Sequence, residues 1–258
     1  MKDKKIKIGI FSLTSCEGCE NIISTKPREL LKAIEGVELV EYKFLEDEPM
    51  KWEPFDIAFV EGSTITRENL EVAKKARQYA KIFVTLGNCA QFGGIHKMKN
   101  YRGKERLMAE IYKYPETIEN PEIMDMEDVV KVDYNIPTCP INPEEFLRIA
   151  YDLINGRRPT IAQRTVCYEC QRRGYECLLM KGEPCMGPIT LGGCNAVCLK
   201  SKMPCEACRG PYEGANFESH FKLIDKMVGK VRREEILEIF GVKDKIIKTR
   251  KQKNKKTK

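Results

Sequence analysis

At 258 residues, with 42% hydrophobic and 32% charged, the chain is long enough to bury a sizeable core. No apolar run reaches the roughly 18 residues of a membrane span. The net charge of +7 does not mark a nucleic-acid surface, because residues 243–258 alone carry +8 and leave the rest of the chain near −1. That basic tail reads as disordered and solubilising.

Taken in chain order, the first apolar run (KIKIGIFSL, residues 5–13) alternates as a strand does and lacks a small-residue cleavage site, so it is no signal peptide and the expected location is cytoplasmic. Further strand-like runs follow at 37–45, 55–63 and 81–89. Between the last two, Leu70, Ala73, Ala76 and Ala80 recur at three- and four-residue intervals, the apolar face of a helix. A fifth run covers 129–137. Next comes the strongest helix signal: Asn142 to cap it, Pro143 in the first turn, and Glu144 and Glu145 at the positive end. The stripe is Phe146, Ile149, Ala150, Leu153 and Ile154, and Gly156 stops it. Strands alternating with helices predict an α/β class: an open parallel sheet, right-handed crossovers, and ligands beyond the carboxyl ends of the strands. From Arg164 onward the periodicity fades and large apolar residues thin out. The expected domains are therefore 1–160, a metal-stapled segment at 161–213, and an extension at 214–258 with a weakly amphipathic stretch and the unstructured tail.

Twelve cysteines carry the chemistry. Cys16 and Cys19 form a C-x-x-C pair, Cys89 stands alone, and Cys139 precedes Pro140. Cys167, Cys170, Cys177, Cys185, Cys194, Cys198, Cys205 and Cys208 crowd into 42 residues. Cuboidal iron–sulfur clusters take four thiolates each, and twelve is three sets of four. Topology sends the first set to one sheet edge, since Cys16 and Cys19 follow the first strand, Cys89 ends the fourth and Cys139 follows the fifth. Glycines at 87, 93 and 94 leave room for a cluster beside Cys89. Disulfides suit a cytoplasmic chain poorly. Zinc ribbons want two C-x-x-C pairs some 15 to 20 residues apart, whereas 34 residues separate the late pairs here. Neither His96 nor His220 stands in a ligand pattern, and no residue stands in an acid–base or nucleophilic one.

Three motifs together identify a family resemblance: Cys16-Glu17-Gly18-Cys19; Gly87-Asn88-Cys89-Ala90 with Gly93-Gly94-Ile95; and Ile136-Pro137-Thr138-Cys139-Pro140 with Asn142-Pro143. Over roughly residues 5 to 213 the chain resembles the small, electron-transferring subunit of nickel-iron hydrogenases. The late segment adds Cys185-Met186-Gly187-Pro188-Ile189-Thr190, Cys194, and Met203-Pro204-Cys205-Glu206-Ala207-Cys208. The resemblance implies a flavodoxin-like domain holding a proximal 4Fe-4S cluster on Cys16, Cys19, Cys89 and Cys139, and an irregular C-terminal iron–sulfur domain. It also implies a distal cluster on Cys167, Cys170, Cys177 and Cys185 and a medial one on Cys194, Cys198, Cys205 and Cys208. Cys167 takes a place where the family often has histidine, and Cys198 supplies a fourth medial thiolate that many members lack, which implies three 4Fe-4S clusters.

By the same resemblance, the cytoplasmic sulfhydrogenases are the most similar branch. There the chain would link a nickel-iron large subunit to a flavin/NAD(P) module and a further iron–sulfur subunit, with no nucleic acid and no membrane span. The chain has no G-x-G-x-x-G fingerprint of its own. Two alternatives stand beside this expectation. One is a single-cluster quinone-reductase subunit, whose family carries adjacent cysteines instead of C-x-x-C; the other is a zinc-stapled binding scaffold.

Overall fold

The computed structural model describes residues 5–33, 35–42 and 52–256. The chain divides into two compact units, Met1–Thr160 and Ile161–Lys258.

The first unit runs β1 (Ile6–Ser12), α1 (Gly18–Ser24), α2 (Pro27–Ala33), β2 (Val37–Tyr42), β3 (Phe55–Glu61), α3 (Arg67–Tyr79), β4 (Ala80–Leu86), α4 (Gly87–Phe92), α5 (Lys104–Ile111), α6 (Met126–Val129), β5 (Tyr134–Ile136) and α7 (Pro143–Ile154). Every described strand pair is parallel, and the order is β2-β1-β3-β4-β5. This is the flavodoxin-like order, in which the connection reverses direction at β1 and β3 and opens a crevice at their carboxyl ends. The class is thus α/β, as expected.

The alternation of strand side chains divides the core in two. Ile8, Ile10, Ile57, Phe59, Val84, Leu86 and Ile136 pack on one face with Ile23 of α1 and with Phe146, Ile149, Ala150 and Leu153 of α7. Phe11, Ala58, Val60 and Phe83 pack on the other with Ala73 and Ala76 of α3 and with Met126 of α6. Alanines on α3 let that helix lie close against the sheet. The α7 start is built as its sequence dictates: the Asn142 side chain accepts from the Glu144 and Glu145 N–H groups at 2.9 and 3.2 Å. Its buried Phe146, Ile149 and Leu153 side chains contribute about 1.5–3 kcal/mol each.

Boundaries differ from expectation in three places. β4 stops at Leu86, and Cys89 lies in α4 rather than at a strand end, because Gly87 at φ 79 turns the chain into a helix. Ala80 opens β4 instead of closing the preceding helix. Only residues 134–136 of the fifth run pair with the sheet; α6 ends at Val129, and residues 130–133 are neither helix nor strand. Residues 43–45 of the second run lie outside the described residues.

In the second unit, α8 (Val166–Arg172) and α9 (Val197–Lys200) are short, and single 3-10 turns cover Leu178–Lys181 and Gly187–Ile189. Bridges Thr165–Leu191 and Thr190–Pro211 knit the loops. α10 (Phe217–Ile239) kinks at Gly229, and α11 (Lys243–Lys256) follows.

The basic tail is therefore not the unstructured extension that its composition suggests. Val242 and Ile246 are fully buried. Arg250 pairs with Glu218 at 2.6 Å, and Lys253 donates to the Gly214 and Ala215 carbonyls at 2.9 and 2.6 Å. Arg233 and Arg250 lie 4.3 and 5.5 Å from the Phe221 ring. Composition counts repelling charges, whereas the fold gives these cations carbonyls, a carboxylate and a ring. Residues 214–258 accordingly belong to the second compact unit.

Candidate metal centres

The first four cysteines meet at the carboxyl ends of the parallel strands. Cys16 is exposed in the loop after β1, Cys19 is buried in α1, Cys89 is half-buried in α4, and Cys139 is exposed in the loop between β5 and α7. The Cys139–Pro140 peptide is cis. The Asn88 N–H donates to the Thr138 carbonyl at 2.9 Å, tying α4 to the Cys139 loop. Burial pushes the Cys89 thiol up to about 11, and its neighbours Cys139 and Cys16 add to this. Burial also raises Cys19, with Glu61, Cys139 and Cys89 contributing; Cys139, exposed as a residue, is raised by partial desolvation of its sulfur and by Cys16 and Glu61.

Glycine is required beside these sulfurs. A Cβ on Gly87 would lie 2.5 Å from the Cys19 Sγ, and one on Gly94 would lie 2.5 Å from the Cys89 Sγ. Both residues also have positive φ. Glu61, buried at the end of β3, accepts from the Cys19 N–H at 3.2 Å and the Glu20 N–H at 2.8 Å, so it fixes the start of α1. Ser63 donates to the Gly93 carbonyl at 2.8 Å and lies 3.1 Å from the His96 Nδ1.

The second unit gathers the other eight. Cys167, Cys170, Cys177 and Cys185 line one cavity together with Val166, Leu178, Leu179, Gly187 and Leu199. A Cβ on Gly187 would come within 3.2 and 3.5 Å of the Cys167 and Cys185 sulfurs. Burial pushes the Cys167 thiol up to about 12, and Cys185, Cys170 and Cys177 contribute. The remaining four are brought together less evenly. Cys198 neighbours Cys194, and Cys205 neighbours Cys185 and Cys208. The Cys205 N–H donates to the Cys185 Sγ at 3.4 Å. Val166, Cys170, Leu178, Cys185, Ala196, Leu199 and Cys205 form a single apolar cluster, against which Cys194 and Cys198 pack.

Left-handed residues punctuate the cysteine loops: Glu17, Thr138, Asn195, Ala196 and Ala207 all have positive φ without being glycine. Each such residue costs on the order of 1–3 kcal/mol and persists where the surroundings over-determine it, as at ligand clamps.

The sequence profile of the family described as NADH ubiquinone oxidoreductase, 20 Kd subunit, matches residues 16–153. The delta subunit of sulfhydrogenase 2 from Pyrococcus furiosus is 33% identical over 225 residues, covering 86% of this chain and 94% of that one. The chain belongs to the small-subunit family of nickel-iron hydrogenases. A chain of an NAD+-reducing [NiFe]-hydrogenase, solved in its H2-reduced state, superposes with a TM-score of 0.55 at 30% identity, covering 61% of this chain and 95% of that one. A chain of the actinobacterial-type NiFe-hydrogenase from Ralstonia eutropha, at 17% identity and a TM-score of 0.61, shares the fold over 98% of this chain and 91% of its own.

Hydrogenase small subunits carry iron–sulfur clusters and pair with a large nickel-iron subunit, and this one fits such groups. The cavity in the second unit has four thiols on otherwise apolar walls, and glycines stand where any side chain would fill the space beside a sulfur. Among the described residues no three His, Cys, Asp or Glu side chains gather tightly enough to grip a single ion. A cuboidal cluster asks less of them, because it spreads its four thiolates around a core. Thiols raised by burial and by one another become thiolates once a metal supplies the positive charge.

Sequence reasoning missed several polar residues in this hydrogenase subunit. Glu61 was detectable, since it ends the strand beside the crevice. Glu169, which accepts from the Gly193 N–H at 2.7 Å, and buried Arg209 carry no such signal. His220 hydrogen-bonds the Cys185 backbone, and burial lowers its pKa to about 4, so the ring is neutral. Among the described residues no helix is long and apolar enough to cross a membrane.

Proposed function

We propose that this hydrogenase small subunit relays electrons between the nickel-iron site of a large subunit and a cytoplasmic flavin/NAD(P) module, during hydrogen oxidation or proton reduction, using three 4Fe-4S clusters. The observation that carries this reading is the meeting of Cys16, Cys19, Cys89 and Cys139 at the crevice of the first unit, with Cys170, Cys185 and Cys205 in one apolar cluster of the second, Cys194 and Cys198 packed against it, and Cys167 and Cys177 lining the adjoining cavity. When bound, such clusters exchange single electrons at potentials set by their surroundings. Cys16, Cys19, Cys89 and Cys139 would hold the proximal group, Cys194, Cys198, Cys205 and Cys208 the medial one, and Cys167, Cys170, Cys177 and Cys185 the distal one.

The rest of the chain holds, spaces and dries these sites. Gly87 and Gly94 clear the space beside Cys19 and Cys89. Glu61 holds the backbone of the first C-x-x-C in place. Val166, Leu178 and Leu199 wall the distal set, in which Cys170 and Cys185 are buried and Cys177 is exposed, and the Thr190 hydroxyl lies 3.6 Å from the Cys205 Sγ. Such hydrogen bonds and burial are the means by which a protein tunes a cluster. Exposed Cys16 and Cys139 leave the proximal edge for the large subunit to cover. The acceptor module rests on kinship with an NAD+-reducing hydrogenase.

The complex purified without oxygen should contain about twelve irons and twelve sulfides per chain and absorb broadly in the visible. Stoichiometric zinc in a colourless protein would sink the proposal. About four irons would favour the single-cluster quinone-reductase reading that the profile over residues 16–153 also suits. Cys16→Ser should abolish hydrogen-dependent dye reduction and remove one reduced-state paramagnetic signal. Cys167→Ser should remove a different one and mainly impair the exit. If both variants keep every signal, the partition is wrong.

A further inference from the structure

Helix α8 carries Cys167 and Cys170 and, between them, Glu169, which is 5% exposed. The Glu169 carboxylate reaches out of its own helix. Its Oε1 accepts from the Gly193 N–H at 2.7 Å and from the Arg164 Nε and Nη2 at 3.2 and 3.0 Å. Four residues on, at the end of the same helix, the Arg173 Nη2 donates to the Asn195 side-chain oxygen at 2.9 Å. Gly193 and Asn195 are the two chain neighbours of Cys194. The helix that presents two distal thiols therefore grips the first medial cysteine from both sides.

That loop has to be held. Asn195 and Ala196 are non-glycine residues at φ 60 and 51, a left-handed conformation that persists only where the surroundings over-determine it. Main-chain lacing leads up to it: the Val166 N–H donates to the Thr190 carbonyl at 3.0 Å and the Gly192 N–H to the Arg164 carbonyl at 2.7 Å, on either side of the Thr165–Leu191 bridge. Glu169 and Arg173 extend the lacing beyond Gly192 to both flanks of Cys194. Burying a carboxylate is costly unless it is paired and hydrogen-bonded, and Arg164 and the Gly193 N–H meet both conditions here. All three bonds end on Oε1, whereas Oε2 is buried with no hydrogen-bond partner among the described residues. A glutamine amide oxygen can accept all three; an alanine accepts none.

We propose that Glu169 is a positioning residue of the relay: from inside the distal C-x-x-C it fixes the backbone that presents Cys194, and with Arg173 it sets the placement of the medial site relative to the distal one. This rests on the three-cluster reading above and its partition of the cysteines. Glu169 acts through the Gly193 backbone and is not a catalytic residue.

The test is electron paramagnetic resonance of the reduced hydrogenase complex, purified with wild-type chain, Glu169→Ala or Glu169→Gln, beside hydrogen-exchange mass spectrometry of the same samples. The signal lost in Cys194→Ser marks the medial site and the one lost in Cys167→Ser the distal site; the change that each loss makes in the other's line shape measures their magnetic interaction. Glu169→Ala should keep the distal signal and lose either the medial signal or its interaction with the distal one, and residues 190–196 should exchange their amide protons faster. Glu169→Gln should match wild type in both measurements. Both signals and their interaction unchanged in Glu169→Ala overturn the proposal. So does a Gln variant that behaves as the Ala variant, since the acceptor bond is then not what matters. Loss of the distal signal as well in Glu169→Ala also overturns it, because the carboxylate would then brace the whole segment instead of the Cys194 loop. Absence of any signal tied to Cys194 in the wild-type complex would instead sink the three-cluster reading.

Discussion

At Gly87 the demands of backbone and cofactor coincide in one residue. Its φ of 79 turns β4 into α4, and its missing side chain leaves the space that the Cys19 sulfur enters to 2.5 Å. Gly87→Ala should therefore combine backbone strain with a steric clash that only movement of Cys19 relieves. The expected outcome is loss of about one third of the bound iron, read by metal analysis, together with loss of the signal assigned to the Cys16 set. Gly36→Ala is the control, since its positive φ of 79 brings the same strain while a Cβ there meets nothing within 4 Å, and it should keep all its iron. The motif Gly87-Asn88-Cys89 was legible in the sequence, but which sulfur the glycine serves was not. It is Cys19, 68 positions away, and no local rule connects the two.

Among the elements, β5 is short and held by charge. Asp133, just before it, accepts from the Phe83 N–H at 2.9 Å and pairs with Arg77 of α3 at 2.5 Å, joining strand, helix and sheet edge. Burial works against the carboxylate, but the Phe83 N–H and the Arg77 guanidinium prevail and hold its pKa below the ordinary value. A depressed carboxylate stabilises the fold above its unfolded pKa, and that stabilisation fades as the pH falls through the folded value. Asp133→Asn should cost about 1–2 kcal/mol at pH 7, and the variant and wild-type melting curves should converge as the pH falls through the depressed pKa of Asp133. A gap that persists at low pH would show that the carboxylate's charge is not what matters. The Asn142 cap and the α7 stripe could be read directly from sequence, because capping and periodicity are local. The β4 end, the brevity of β5 and the docking of α11 could not, since each depends on partners far along the chain.

On the scale of the whole molecule, the two units draw stability from different sources. The first buries two apolar layers on a parallel sheet, whereas the hydrophobic cluster of the second includes Cys170, Cys185 and Cys205 among its buried members. Metal binding in such a segment is folding free energy. Chain prepared without iron should keep slow amide exchange in β1, β3 and β4 and lose protection over residues 166–210, as followed by hydrogen-exchange mass spectrometry. Equal protection with and without iron would show that the second unit folds unaided. By itself the sequence determined the strand–helix alternation, the capped helix and the cysteine spacing, because period, propensity and motif act over a few residues. The tertiary structure alone decided that Glu61 braces the first C-x-x-C, that Arg209 is buried beside the last one, and that residues 243–256 of the basic tail, with eight cations, form a docked helix. Burial and charge pairing are long-range quantities, settled by what the rest of the chain brings to each side chain.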